Sequence, residues 1–337
     1  MRVAFLIRWV VPIVGAGVAI TALFWLYRDL DLDRLVVAVA TADARWLWLL
    51  AATILAEQLV RGWKWRQILY DLKPISSGRL FGAILAGYGV GVLIPLGISA
   101  VVRAWLVARL EGLRLASVLV TTAIERFIDG IVFALIAAFV AILGRIPGIE
   151  GNLRLGIAAA AASSLALFSC LIWIIFRWRR RLGRHDAPIS RLVDWVASRG
   201  GRRLADLRAA IADGIVWPRS RARQVGVVAA SVLMKMIAAT HFLWAGLAVG
   251  ILLNVLDYLF LLIFAGFAMI LSRFVRVPGG FVIGAGFALS ALGVADEPAL
   301  AMIMFNYVLS IVLMVGIGLV VLWRSGVTIR SIAGATE

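Results

Sequence analysis

Residues 115–143 read LASVLVTTAIERFIDGIVFALIAAFVAIL, an apolar run whose only charges are Glu125, Arg126 and Asp129. As a helix the run extends about 43 Å, more than the roughly 30 Å of a bilayer's hydrocarbon core. Each ionisable side chain at that depth costs about 2.5–3.5 kcal/mol, so three within two turns need compensation from elsewhere in the fold. Glu125 and Asp129 share a helix face at i,i+4, with Arg126 one position round. Such a cluster either fastens helices together or lines a substrate or ion pathway.

The rest of the chain has the same character. Hydrophobic residues make up 63% of 337 positions and the mean hydropathy is +1.02, far above a soluble domain. Spanning-length runs occur at Trp9–Tyr27, Trp46–Val60, 115–143, Leu155–Phe176, Val225–Gly250, Val255–Ile270 and Leu300–Trp323. The expected fold is therefore an all-α polytopic membrane protein of about seven spans, a single transmembrane domain over residues 1–330. The first run lacks a small-residue cleavage site and reads as an uncleaved span with a cytoplasmic N-terminus. Cys170 is the single cysteine, so no intrachain disulfide forms.

The formal charge of +16 is concentrated in residues 177–223, where thirteen arginines face four aspartates for a net +9. Arginine of this density beside a span marks a cytoplasmic loop and suits anionic headgroups. The loop has too little apolar content to fold as a nucleic-acid-binding domain. Within it, Ile189, Leu192, Val193 and Val196, then Leu204, Leu207, Ile211 and Ile215, recur at helical spacing. These predict two short amphipathic helices on the inner membrane surface.

With that loop inside, both flanks of residues 80–102 fall on one side, so the segment enters the membrane and returns. The sixteen residues Gly82–Gly97 hold five glycines and Pro95, which reads as broken helix. A second sixteen-residue stretch, Pro278–Gly293, also holds five glycines and one proline. Aligning Gly112 with Gly293 sets Glu125, Arg126 and Asp129 opposite Asn306, Tyr307 and Ser310, a weak internal repeat. Paired interrupted segments in corresponding halves point to a transporter binding site. Alternatively, the glycines serve close helix packing. Pro95, Gly97, Pro278, Gly279 and Gly280 are the candidate hinges or points of close backbone approach.

Arg61-Gly62-Trp63-Lys64-Trp65-Arg66 interleaves cations and indoles. It is either an interfacial belt or a grip on headgroup phosphate, with Arg61 and Arg66 as donors. Lys235, in mid-span, is a candidate ion-pair partner of Glu125 and Asp129. No metal site is expected from two histidines, and no nucleotide-binding fingerprint or other cofactor motif is present. Asp29, Asp31 and Asp33 sit where polyprenyl-phosphate-dependent membrane glycosyltransferases keep catalytic carboxylates. Their alternation with Leu30, Leu32 and Leu35 equally suits an interfacial helix.

Trp65-Arg66, then Leu93-Ile94-Pro95, Val102-Arg103-Ala104, Ile124-Glu125-Arg126-Phe127-Ile128-Asp129 and Pro278-Gly279-Gly280 follow one another in an order with a known counterpart. From Trp9 to Trp323 the chain resembles the flippase-like transmembrane domain of lysylphosphatidylglycerol synthases (the multiple peptide resistance factors) and their stand-alone relatives. The resemblance implies a bacterial inner-membrane protein that moves a lipid or lipid-linked headgroup between leaflets without synthesising it. It transfers functional weight to Arg103, Arg126, Asp129, Pro278, Gly279 and Gly280. The chain departs from the family at Ser99-Ala100, where relatives often carry Gly-Glu, and at Ala285, where they often carry glutamate. Those losses favour an anionic headgroup held by Arg103 and Arg126, with Glu125 and Asp129 balancing Arg126 and Asn306 and Tyr307 contributing to substrate binding. Membrane lipids are the expected partners, with a second copy or a lipid-modifying enzyme as protein partner. The competing functions are a membrane glycosyltransferase and a non-transporting assembly factor.

Overall fold

The computed structural model describes residues 2–93, 99–143, 152–182, 206, 209–274 and 277–325. The described residues are mostly helical and include no strand. The helices are α1 (Arg2–Tyr27), α2 (Leu32–Ala40), α3 (Ala44–Leu69), α4 (Ser77–Leu93), α5 (Ser99–Glu111), α6 (Leu115–Leu143) and α7 (Asn152–Leu182). They continue as α8 (Arg221–Ala248), α9 (Val255–Phe274), α10 (Gly280–Ala291) and α11 (Asp296–Arg324). Five of them are long and apolar enough to cross a membrane, and a sixth span is added if α2 and α3, bent by 79°, count as one. The all-α polytopic expectation holds.

The chain divides into two compact units, each assembled from three separated segments. The first comprises Met1–Ile54, Leu135–Ala161 and Lys235–Ser310; the second comprises Leu55–Ala134, Ala162–Met234 and Ile311–Glu337.

Each unit contains a hairpin of helices held by glycine. In the second unit α4 packs on α5. A Cβ added at Gly87 would lie 2.7 Å from the Ser99 carbonyl oxygen, and one at Gly91 would lie 2.8 Å from Ser99 Cβ. Gly318 of α11 meets the Leu85 carbonyl more closely still. In the first unit α10 packs on α9, with Gly280 against Ser272 and Gly284 against Ala268, while Gly286 admits Leu26 and Tyr27 of α1.

Segment 80–102 does divide into two helices, α4 and α5, and a new helix, α10, begins only at Gly280, but the expectation that the glycines themselves make the breaks is corrected. Gly82, Gly87, Gly89 and Gly91 lie inside the continuous helix α4, and Gly280, Gly284 and Gly286 lie inside α10. Within a membrane no water competes for the backbone hydrogen bonds, so glycine's cost in a helix is outweighed by the close approach it allows. Pro95 and Gly97 fall outside the described residues.

The weak repeat has structural support. Gly112 closes α5 at φ +67° and Gly293 closes α10 at φ +74°, the left-handed conformation that favours glycine. Each is followed within a few residues by a helix of 29 residues, α6 or α11.

Outside the long helices, Lys73 and Arg79 each reach Glu111 at 2.9 Å, tying the start of α4 to the end of α5. The hydrogen bond from Lys73, then that from Arg79, holds the Glu111 carboxyl below its ordinary value of 4.5. A carboxylate held low contributes stability above that ordinary value and loses it as pH falls toward the lower folded value. Thermal unfolding should accordingly show a smaller loss of stability below pH 4.5 in Glu111→Gln than in the parent.

In the same measurement Gly87→Ala should destabilise by about 1–3 kcal/mol through overpacking. Gly17→Ala, with open space around its Cβ, should be neutral or stabilising by up to about 1 kcal/mol. Parent-like stability of Gly87→Ala would contradict the close α4–α5 approach.

Candidate functional site

Spacing on α3 and α6 brings six charged groups together in the second unit. Glu57, Arg61 and Lys64 lie at i, i+4 and i+7 on α3, one face of the helix. Glu125 and Asp129 present the facing pair from α6, and Arg103 comes from α5. Lys64 Nζ lies 2.5 Å from Asp129 Oδ1 and 3.5 Å from Glu125 Oε1. Arg103 Nη2 donates to Glu125 Oε2 at 2.6 Å, and Arg61 Nη2 donates to Glu57 Oε1 at 2.8 Å. Arg61 Nη1 stands 4.0 Å from Glu125 and 3.9 Å from Asp129.

Lys64 and Glu125 are 0% exposed, and Arg61, Arg103 and Asp129 are also buried. Three cations meet three carboxylates, so the network carries no formal excess charge. Neutral polar contacts extend it. The Arg103 guanidinium lies over the Trp65 ring, 4.8 Å from its centroid. Trp65 Nε1 donates to Thr121 Oγ1 at 3.2 Å, and Thr121 donates in turn to the Val118 carbonyl at 2.8 Å. Arg61 Nε, Arg103 Nε and Thr122 Oγ1 are buried atoms without a hydrogen-bond partner among the described residues.

Arg126 is arranged differently. It is exposed and makes no ion pair among the described residues, although it lies within electrostatic range of Arg103 and of Tyr88 on α4. The expectation that Glu125 and Asp129 balance Arg126 is corrected: their counter-charges are Lys64, Arg61 and Arg103. Burial and mutual pairing make this network a fastening between α3, α5 and α6, with Arg126 as the charge presented outward beside it.

Lys64, central to the network, was not singled out from the sequence. Its signal was the i, i+3 spacing from Arg61, masked by the neighbouring tryptophans that suggest a belt. Of that motif Trp63 is exposed, Trp65 is fully buried and Arg66 is half-buried, its Nε without a hydrogen-bond partner among the described residues. Gly62 meets α4 closely, its would-be Cβ 3.1 Å from Phe81 N and the Ser77 carbonyl.

The remaining candidates lie apart from these groups in the chain's division. Asn306, Tyr307, Lys235, Pro278, Gly279 and Gly280 all belong to the first unit. Of the basic segment, the apolar positions of its first predicted helix and Leu204 and Leu207 fall outside the described residues. The end of the second predicted helix, 209–214, packs on α6: Ser117 Oγ donates to the Ala210 carbonyl at 2.7 Å, and Arg114 pairs with Asp213. Asp31 caps α2, accepting from the amides of Asp33 at 2.9 Å and Arg34 at 3.2 Å.

A family model described as lysylphosphatidylglycerol synthase TM region matches residues 12–325. No curated protein matches the chain in sequence at a significant level. The chain belongs to the lysylphosphatidylglycerol synthase transmembrane-region family and is a multi-pass membrane protein with a lipid-related role.

Removing one partner from a buried ion network costs about 3–5 kcal/mol because the other charge is left uncompensated. Lys64→Met should therefore destabilise by that amount, and adding Asp129→Leu should recover most of it. Arg126→Ala should stay within about 0.5 kcal/mol of the parent, as exposed positions do. Thermal unfolding in one detergent measures all three, and a large loss in Arg126→Ala would place Arg126 in the network.

Proposed function

We propose that this family member moves a lipid or lipid-linked headgroup, of anionic phospholipid or glycolipid type, between the leaflets of a bacterial inner membrane. In this reading the N-terminus and the arginine-rich segment are cytoplasmic. The observation that carries the proposal is Arg126, an exposed cation on a spanning helix beside a buried network of neutral charge balance. An exposed arginine at membrane depth draws phosphate and water toward itself, because leaving it in hydrocarbon is costly. The guanidinium gives a phosphodiester two parallel donors. The carboxylates Glu57, Glu125 and Asp129 are each engaged by a cation, so an ammonium headgroup meets less attraction here than a phosphate does.

The network has a supporting role in this mechanism. By locking α3, α5 and α6 in register it fixes where Arg126 projects, and it supplies no net charge that would hold the phosphate too tightly for release. The acyl chains remain in lipid throughout, and the headgroup alone crosses along the polar strip.

The glycosyltransferase reading is the runner-up: Asp31 caps α2, and Asp29 and Asp33 are exposed. Reconstitution of the full chain in vesicles with fluorescent phosphatidylglycerol tests the proposal by the rate at which inner-leaflet label becomes accessible to an impermeant quencher added outside. Arg126→Ala should slow that rate about tenfold or more, the loss of one charge-assisted contact, with Arg126→Lys intermediate. Parent-like rates in Arg126→Ala would remove Arg126 from the mechanism. Inert parent vesicles would favour the assembly role, and glycosyl incorporation from a polyprenyl donor would favour the enzyme.

A further inference from the structure

The repeat places a second, chemically different constellation in the first unit. Arg126 is the twelfth residue of α6 and Tyr307 is the twelfth residue of α11, helices of 29 residues each. The burial pattern leading to them agrees at most of the equivalent positions. Val118 and Ala299, Thr121 and Met302, and Glu125 and Asn306 are buried in both helices, and the next residue is exposed in both. One scaffold position therefore holds a buried carboxylate and an outward cation in the second unit. In the first unit it holds a buried amide and an outward phenol.

The surroundings of the phenol are aromatic. The Tyr307 ring stacks on Phe281 with centroids 5.7 Å apart, and Phe281 stacks on the buried Phe242 at 5.9 Å. One face of Tyr307 is covered by this ladder, while the residue remains 44% exposed. Asn306 beside it is 5% exposed and makes no side-chain hydrogen bond among the described residues. The small exposure that remains leaves its amide open to a group at the surface that both donates and accepts hydrogen bonds.

We infer that Asn306 and Tyr307 form a binding site for a neutral, hydroxyl-bearing ring carried on a lipid, a sugar headgroup. The apolar C–H face of such a ring packs on the free face of Tyr307, as aromatic faces prefer. The Asn306 amide, with donors and an acceptor, satisfies adjacent hydroxyls that both donate and accept. An ammonium group would use the ring face but not the amide donors, and a phosphate would find no cation in Asn306 or Tyr307. The inference rests on the lipid-handling reading and refines it: one unit meets phosphate, the other meets a sugar.

Native mass spectrometry of the full chain released from nanodiscs tests this, using equal amounts of phosphatidylcholine, phosphatidylglycerol and monoglucosyl-diacylglycerol. Asn306→Leu should reduce retention of monoglucosyl-diacylglycerol about tenfold, the loss of one to two hydrogen bonds, and leave phosphatidylglycerol retained. That retained lipid also reports an intact fold. Tyr307→Leu should lose the glycolipid and Tyr307→Phe should keep it, because the ring face is what binds. Arg126→Gln should do the reverse, losing phosphatidylglycerol and keeping the glycolipid. Equal glycolipid retention by the parent and Asn306→Leu, a preference for phosphatidylcholine that Tyr307→Leu removes, or displacement of the glycolipid by free glucose would each overturn the inference. Phosphatidylglycerol retention that ignores Arg126→Gln would count against the proposed function instead.

Discussion

Charge placed where water cannot reach must be met by opposite charge within a few ångströms, and that requirement organises the second unit. Lys64 is fully buried and has Asp129 at 2.5 Å and Glu125 at 3.5 Å. Neither carboxylate tolerates a change of partner without leaving a bare ion in low dielectric. The consequence is geometric. A helix sliding by one turn moves about 5.4 Å, enough to break every pair, so α3, α5 and α6 have one permitted register. Apolar packing alone would be less exacting, since lipid tails compete with leucine on nearly equal terms.

Close approach by glycine is the second constraint, and it works with the first. Arg103 reaches Glu125 from α5, whose start is pressed against α4 at Gly87 and Gly91. Arg103 Cβ itself would lie 3.0 Å from a Cβ at Gly87. A side chain at that position would push α5 outward and draw Arg103 away from its carboxylate. The stacking of Arg103 on Trp65, itself hydrogen-bonded to Thr121, closes the opposite side. Packing and charge pairing thus fix the same side chain from two directions.

How much of this was legible in the sequence follows from the physics of each feature. Glu125 and Asp129 stood out because carboxylates in an apolar run demand explanation, and their i,i+4 spacing correctly set them on one face. Of their partners, Arg61 and Arg103 stood out only as phosphate donors, and Lys64 did not stand out at all. Lys64 lies between two tryptophans near the end of a span, a setting where a cation ordinarily snorkels to headgroups, and only tertiary packing reveals that α3 turns it inward. The glycines were read as breaks because helix propensities are measured in water, where an exposed backbone has an alternative partner. The paired Gly112 and Gly293 were legible as a repeat but not as left-handed caps, since φ is not encoded in composition. Arg103 was found through family resemblance, and its partner Glu125 through the apolar run, with nothing in either local pattern linking the two.

The contrast between the two twelfth residues follows from what each must be backed by. An outward arginine at that depth needs a neighbourhood already neutral, or it would add to the charge that the fold has to bury. In the second unit this is met by three cations and three carboxylates distributed over three helices. An outward tyrosine needs no counter-ion, only an apolar wall, and Phe281 with Phe242 behind it provides one from two helices. The buried residue one position earlier changes in step. A carboxylate at 306 would require its own cation, whereas an amide is neutral and asks only for hydrogen bonds. Duplicating the backbone while exchanging the charged pair for a neutral one therefore lets the first unit keep the geometry without a second ion network. The chemistry offered at equivalent helix positions then differs between the units while the local scaffold that presents it is similar.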